Sequence, residues 1–247
     1  MDADAARLVL IPTYNTGAKL AETVCDAARR WQPILVVVDG STDGSADFLA
    51  GQPGQRLLRR TENGGKGAAV LDGLRASEAE GFTHVLVMDA DGQHPAEAIP
   101  TLMTLSAAHP DAMILGLPIF GADAPRARVL GRRISNLLVR WLTGAPIGDA
   151  LFGFRVYPLS PLRAIMEASP HMRRYDFDAE AVVRLSWLGV PAINQPVPVR
   201  YFRPDEGGVS HFRYGRDNLL LARMYGRLAL ARIGRPARGG AIRPSRH

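Results

Sequence analysis

The sequence predicts an α/β protein built on a mostly parallel, doubly wound sheet flanked by helices. Two observations predict the class. Short apolar runs at 7–12, 34–38, 84–88 and 113–117 alternate with longer stretches whose apolar residues recur at helical spacing, the rhythm of successive βαβ units. Three of these strands also end abruptly in polar, acidic and glycine residues, at Pro12-Thr13-Tyr14-Asn15, Asp39-Gly40-Ser41-Thr42-Asp43-Gly44 and Asp89-Ala90-Asp91-Gly92-Gln93. The carboxyl ends of strands are where open α/β sheets bind ligands.

In order, residues 7–12 form a first buried strand, 17–30 a helix, and the β-branched run 34–38 a second strand. Residues 45–49 begin another helix and 57–58 supply a short third strand. Residues 66–80 place Ala69, Val70 and Leu74 at helical spacing. A strand at 85–88, a helix at 96–108 and a strand at 113–117 follow. The rhythm then changes, to an arginine-rich amphipathic helix at 126–142, a strand at 152–157, a helix at 179–188 and a strand at 197–202. The helix 218–233 offers Leu219, Leu220, Met224, Leu228 and Ile233 for a stripe, and the Gly-, Pro- and Arg-rich residues 234–247 read as a disordered tail. No internal repeat is present.

A chain of 247 residues holds one large domain, with an expected division into a body, 1–212, and a basic helix plus tail, 213–247. The latter holds nine arginines against the single acid Asp217, so of the net +6 the first 212 residues carry −2. The acidic body lacks an aromatic-and-basic binding pattern, which argues against a nucleic-acid partner. A basic tail instead suits an anionic leaflet, at around 1 kcal/mol per cation. The helix that interleaves Arg126, Arg128, Arg132 and Arg133 with Val129, Leu130, Ile134, Leu137, Leu138 and Val139 can pack one face on the sheet and offer the other to an anionic acceptor or lipid headgroups. Cys25 is the only cysteine, so no intramolecular disulfide forms, consistent with a reducing compartment. The acidic first residues lead straight into a strand, unlike a secretory signal, and no apolar run reaches the ~20 residues of a membrane span. The expected location is the cytoplasm, at the inner face of the cytoplasmic membrane.

The chemistry concentrates at Asp89 and Asp91. Carboxylates at i and i+2 on extended chain point the same way and reach one cation. Hard oxygen ligands suit Mg²⁺ or Mn²⁺, which sits between protein carboxylates and substrate phosphates. A metal-assisted enzyme acting on a phosphorylated donor is expected; the alternative is an acidic turn capping the next helix. Asp39 can accept hydrogen bonds from a nucleobase imide or a ribose, while Ser41, Thr42 and Asp43 suit ordinary turn capping. In Asn63-Gly64-Gly65-Lys66-Gly67, two glycines and a cation at a helix N-terminus can approach a phosphate or a base edge. Lys66 stands out because only it and Lys19 are lysines. His84 reads as structural, His94 as packing beside Pro95, and Trp31, Trp141 and Trp187 as core or interface residues.

Together with Gly153-Phe154-Arg155-Val156-Tyr157-Pro158 and Phe177-Asp178-Ala179-Glu180, these motifs resemble the family 2 glycosyltransferases, in their dolichyl-phosphate mannosyltransferase-like branch, over roughly residues 7–225. The resemblance implies a GT-A, Rossmann-like fold. It implies a nucleoside pocket lined by Pro12, Tyr14 and Asp39, with Thr13, Asn15 and Gly40 in the same turns. Asp89-Ala90-Asp91 becomes the DxD motif that holds the cation on the donor diphosphate, with Gln93 as a further ligand. Lys66, Arg132, Arg133 and His211 are then expected on the donor side, and Arg203 near phosphate. Donors are UDP- or GDP-sugars, transfer usually inverts, and the acceptor is lipid-linked or amphipathic: a polyprenyl phosphate, or a hydroxyl of a lipid or aryl-polyene-type molecule. Two departures stand out. Val38 replaces a second acid, and His211 replaces a lysine by a group only partly charged near pH 7. A phosphate acceptor needs no general base, whereas a hydroxyl does. Asp178 lies where inverting relatives carry their base, or it caps a helix; Asp149 is a second candidate, or it positions the acceptor. The rival readings are a nucleotidyltransferase and a non-catalytic module binding a sugar nucleotide or a membrane.

Overall fold

The chain runs β1 (Arg7–Thr13), α1 (Lys19–Ala28), β2 (Ile34–Asp39), β3 (Gln55–Arg60), α2 (Lys66–Ala79), β4 (His84–Val87), α3 (Ile99–Ala108), β5 (Met113–Ile119), α4 (Arg126–Thr143), β6 (Arg155–Pro158), α5 (Leu159–Glu167), α6 (Asp176–Leu188), β7 (Ala192–Pro198) and α7 (Tyr214–Ile233). These elements come from a computed structural model that describes residues 6–120, 126–199 and 214–234. Its seven strands make one sheet in the order β3-β2-β1-β4-β6-β5-β7. All neighbours are parallel except β6, which runs antiparallel to both β4 and β5. The α/β class and the mostly parallel sheet are as expected.

Alternate residues of a strand face opposite sides, and both sides of this sheet are covered. Leu8 and Leu10 enter one core with Val37, Val87, Leu74, Val182 and Leu228. Val9 and Ile11 enter the other with Val36, Leu86, Leu20, Val24 and Leu102. Burial on both faces explains why the strands are continuous apolar runs, each such side chain contributing roughly 1.5–3 kcal/mol.

The elements depart from expectation where local signals mislead. Residues 45–49 make only a single 3₁₀ turn, Asp47–Leu49, too short to propagate a helix. The helix α5 is unanticipated because Pro161 reads as a breaker; it lies within the first turn, where no N–H is required. Helix α6 begins at Asp176, three residues early. Strand β7 begins at Ala192 rather than at 197, and residues from 200 of the expected strand lie outside the described residues, as does the tail from 235. In α7 the buried stripe includes Met224 and Leu228, while Leu219 and Ile233 are exposed. This basic helix packs into the same core as α6. No helix among the described residues is long and apolar enough to cross a membrane.

The reversed β6 matters most for the site. Val87 pairs with Arg155, so β6 begins at the sheet edge where β4 ends, and the turn Gly153-Phe154 is set beside Asp89.

Candidate active site

Strand β4 delivers Asp89 to the carboxyl edge of the sheet, and the following turn fixes it. The Asp89 N–H donates to His94 Nδ1 at 3.0 Å, and His94 Nε2 faces Asp89 Oδ2 at 3.7 Å. The imidazole is buried between Phe152 and Phe154, with ring centroids 4.7 and 5.0 Å away. Burial pushes its pKa down to about 4, against the pull of Asp89, so at neutral pH an uncharged ring accepts at Nδ1. His94 is therefore more than packing beside Pro95: it orients Asp89. Asp91 Oδ1 accepts the Gln93 N–H at 3.0 Å. Burial, and then the charge of Asp89, push the Asp91 carboxyl up to about 6.

Lys66 meets these acids from α2. Its Nζ lies 2.7 Å from Asp89 Oδ1 and 2.9 Å from Asp178 Oδ2. The turn before α2 explains the placement. Gly65 holds φ at 97°, and a β-carbon there would come 2.7 Å from the Arg173 carbonyl, so only glycine fits. The Ala68 N–H donates to that same carbonyl at 3.0 Å. Asp176 shapes the opposing loop by accepting the Met172 and Arg174 N–H groups at 3.0 and 2.9 Å. The starts of α2 and α6 are thus one unit, which brings Lys66 to Asp178. Burial opposes the charge of Lys66, but Asp178 and Asp89 outweigh it and hold its pKa above the usual lysine range. Burial likewise resists ionisation of Asp89, yet Lys66 and His94 hold it below the usual carboxylate range. For Asp178 burial wins over Lys66, and its pKa is raised. Asp178 is no helix cap.

Arg155 is fully buried. It donates to the Tyr157 hydroxyl at 3.0 Å, to the Asp178 carbonyl, and to the Asp149 carbonyl at 3.3 Å. Motif reading gives this residue no role of its own; the signal for it is a charge inside the apolar run 152–157. Asp149 anchors its own loop. Its carboxylate accepts from Arg132 at 2.6 Å, from Asn136 at 3.2 Å, and from the Leu151 and Phe152 N–H groups at 2.8 and 2.7 Å. That leaves little of it for proton transfer. Arg132 is committed to Asp149 and lies over the Phe120 ring, while Arg133 is exposed.

Among the residues expected to line a nucleoside pocket, Asp39 is a strut. Its oxygens accept the Gly64 and Gly65 N–H groups at 2.9 and 2.7 Å, and the Arg60 guanidinium. Gly40 turns at φ 68°, against the backbone of Glu62 and Asn63. Asn15 joins the ends of β1 and β2, donating its N–H to Ser41 Oγ at 3.0 Å and accepting from the Thr42 N–H at 2.8 Å. Thr13 is hydrogen-bonded to Thr16 at 2.7 Å, Pro12 is buried, and Tyr14 is half-buried beside them. Arg203 and His211 lie outside the described residues.

Asp89 and Asp91 offer hard oxygens in one turn, with Gln93 next to them; Lys66 offsets the charge of Asp89, while burial and the charge of Asp89 raise the pKa of Asp91. That donor set fits a divalent cation completed by phosphate and water. Among the described residues no three His, Cys, Asp or Glu side chains form an all-protein cage.

Comparison with known proteins gives the family and the fold. The profile of Glycosyl transferase family 2 matches residues 8–176. The chain is 32% identical to polyprenol monophosphomannose synthase of Mycolicibacterium smegmatis over 213 residues, 82% of this chain and 79% of that protein. It is 29% identical to undecaprenyl-phosphate mannosyltransferase of Micrococcus luteus over 205 residues, 77% of this chain and 82% of that one. Glucosyl-3-phosphoglycerate synthase from Mycobacterium tuberculosis, solved with Mn²⁺, UDP and glucosyl-3-phosphoglycerate, aligns with a TM-score of 0.63 over 96% of this chain and 85% of that chain, at 20% identity. At that identity the likeness speaks for the fold alone, which is GT-A.

Proposed function

The chain belongs to glycosyl transferase family 2, in its dolichyl-phosphate mannosyltransferase-like branch, and from that premise we propose that it moves a sugar from a UDP- or GDP-sugar to a polyprenyl phosphate at a membrane surface. The observation that carries this reading is the meeting of Asp89, Asp91, Lys66 and Asp178 at one sheet edge, with the Asp89 side chain 31% exposed. A divalent Mg²⁺ or Mn²⁺ bound by Asp89 and Asp91 would stabilise the negative charge that develops on the departing diphosphate. His94 keeps Asp89 aimed. The acceptor phosphate oxygen forms a bond to the anomeric carbon as the bond to the β-phosphate oxygen breaks, which inverts that centre.

The acceptor follows from Asp178. Although burial raises its pKa, its two oxygens lie 3.1 and 2.9 Å from Lys66 Nζ, so both are engaged by the ammonium rather than turned toward an acceptor hydroxyl. An anionic phosphate needs no base, and the two polyprenyl-linked relatives above carry such acceptors in their names. The membrane surface follows from α4. Ile134, Leu137, Leu138 and Trp141 are 55, 69, 37 and 53% exposed, with Arg133 and Arg140 exposed among them. Cations interleaved with uncovered apolar side chains suit the headgroup boundary. We place the protein at the inner face of the cytoplasmic membrane.

The test is transfer of labelled sugar from UDP- and GDP-sugars to undecaprenyl phosphate in mixed micelles with Mn²⁺ or Mg²⁺. Label should enter the solvent-extractable lipid with one nucleoside diphosphate released per sugar. Pyrophosphate released from a nucleoside triphosphate would favour a nucleotidyltransferase, and turnover that survives Asp91→Ala would sink the site.

A further inference from the structure

We propose that Lys66 is the resident cation of the site: in the donor-free protein its ammonium holds Asp89 and Asp178 together and keeps a divalent ion from Asp89 until a diphosphate draws it away. The inference rests on the metal and donor reading above.

Three observations support it. Among the described residues Lys66 is the cation that the Asp89 and Asp178 carboxylates share, its Nζ within 2.7 and 2.9 Å of them and its side chain 11% exposed. The ammonium also fills its niche. A β-carbon on Gly153 would lie 2.4 Å from Nζ, 3.1 Å from Asp89 Oδ2 and 3.2 Å from Asp178 Oδ1, so glycine at 153 is what leaves room for the cluster. A second cation on the same oxygens would meet the first at close range, where like charges repel strongly. Finally, Lys66 is the first residue of α2. A helix N-terminus attracts phosphate, and a lysine is a compact charge on a flexible stem. A diphosphate arriving there competes with Asp89 for the ammonium. Release of Asp89 and binding of the diphosphate then favour each other, and such coupling is reciprocal.

The experiment measures Mn²⁺ binding by the loss of the free-ion electron paramagnetic resonance signal, without turnover. It uses the full chain, Lys66→Met and the double variant Lys66→Met/Asp178→Asn, each with and without UDP or GDP. The double variant removes one acid along with the lysine, so it leaves no additional unpaired buried charge. Without nucleotide, Lys66→Met should bind Mn²⁺ roughly tenfold tighter than the native chain. Nucleotide should tighten Mn²⁺ binding by roughly tenfold in the native chain and by less than about threefold in the variants. Equal or weaker binding in the variants, with the nucleotide effect intact, overturns the role of Lys66 and leaves the proposed function standing. No Mn²⁺ binding by any protein, even with nucleotide, overturns both. Loss of helical circular dichroism in both variants also overturns the proposal, since Lys66 would then be a structural strut.

Discussion

Of the three buried acids of helix α6, Asp178 and Glu180 lie two residues apart in surroundings that are opposites. Glu180 is fully buried against two arginines, Arg184 at 2.7 Å and Arg227 at 2.6 Å, and ties α6 to α7. Asp178 shares one ammonium with Asp89, and Asp91 stands nearby with its pKa raised by burial and by Asp89. Positions i and i+2 on a helix do not share a face, so one helix serves two environments. Around Glu180 cations outnumber the acid, and the cluster is complete as it stands. At the sheet edge acids outnumber the cation, and the cluster is complete only with a further positive charge. A protein can carry such a deficit at a functional site because the rest of the fold supplies the stability.

The contrast breaks most sharply at Asp89. Asp89→Asn should lower kcat for sugar transfer by roughly 10³-fold or more if several kcal/mol of charge stabilisation pass through the bound cation, with an unchanged thermal melt. A melt that collapses along with activity would make Asp89 a structural acid like Glu180. The reverse outcome is expected at Glu180. Glu180→Gln should cost about 2 kcal/mol in urea unfolding, below the usual penalty for a broken buried pair because both arginines can turn toward water. Specific activity of the folded fraction should stay the same.

Asp91 sharpens the comparison by sign. Its pKa is about 6 in the fold against an ordinary value of 3.8. The folded state therefore binds its proton more tightly, and its contribution is present in full below about pH 4 and lost as pH rises through 6. In metal-free buffer at pH 7, Asp91→Asn should unfold about 1–2 kcal/mol less readily than the native chain, and the difference should close on titration to pH 4. A destabilised variant would mean that Asp91 is compensated after all. The smallest effect is expected from Gly153→Ala. A β-carbon at that position would press on the Lys66 ammonium at 2.4 Å, a flexible end that can give way. Transfer should slow by roughly tenfold while stability changes by less than about 1 kcal/mol; unaltered kinetics would show that the cluster has room to spare.

Much of this is legible in the sequence. The apolar runs of β1, β2 and β4 announce buried parallel strands, and Asp89 and Asp91 at the end of such a run announce the candidate site. The glycines before Lys66 announce a tight turn at a helix start. Other residues mislead for a common reason. Asp39 and Asp149 look available in sequence, yet each is engaged by distant backbone or by chain neighbours, Gly64 and Gly65 in one case and Leu151 and Phe152 in the other; His94, expected only to pack beside Pro95, accepts the Asp89 N–H. Trp31 and Trp187, expected in the core or at an interface, are half-buried and donate to the Arg7 and Leu142 carbonyls. His84, expected to be structural, faces the Pro110 carbonyl at 2.8 Å.

What the sequence determined by itself is the set of elements whose cause is local: strand runs, helix periodicity, turn glycines and the paired acids. What only the tertiary structure decided is direction and partnership. Strand β6 could have joined the sheet either way; its antiparallel insertion between β4 and β5 places Gly153 and Arg155 at the edge where Asp89 emerges. Lys66 and Asp178 are 112 residues apart, and nothing adjacent to either names the other. Periodicity reports which face of an element is apolar, because that depends on neighbouring residues alone. Where a charge finds its counter-charge depends on how the whole chain returns to the same edge of the sheet.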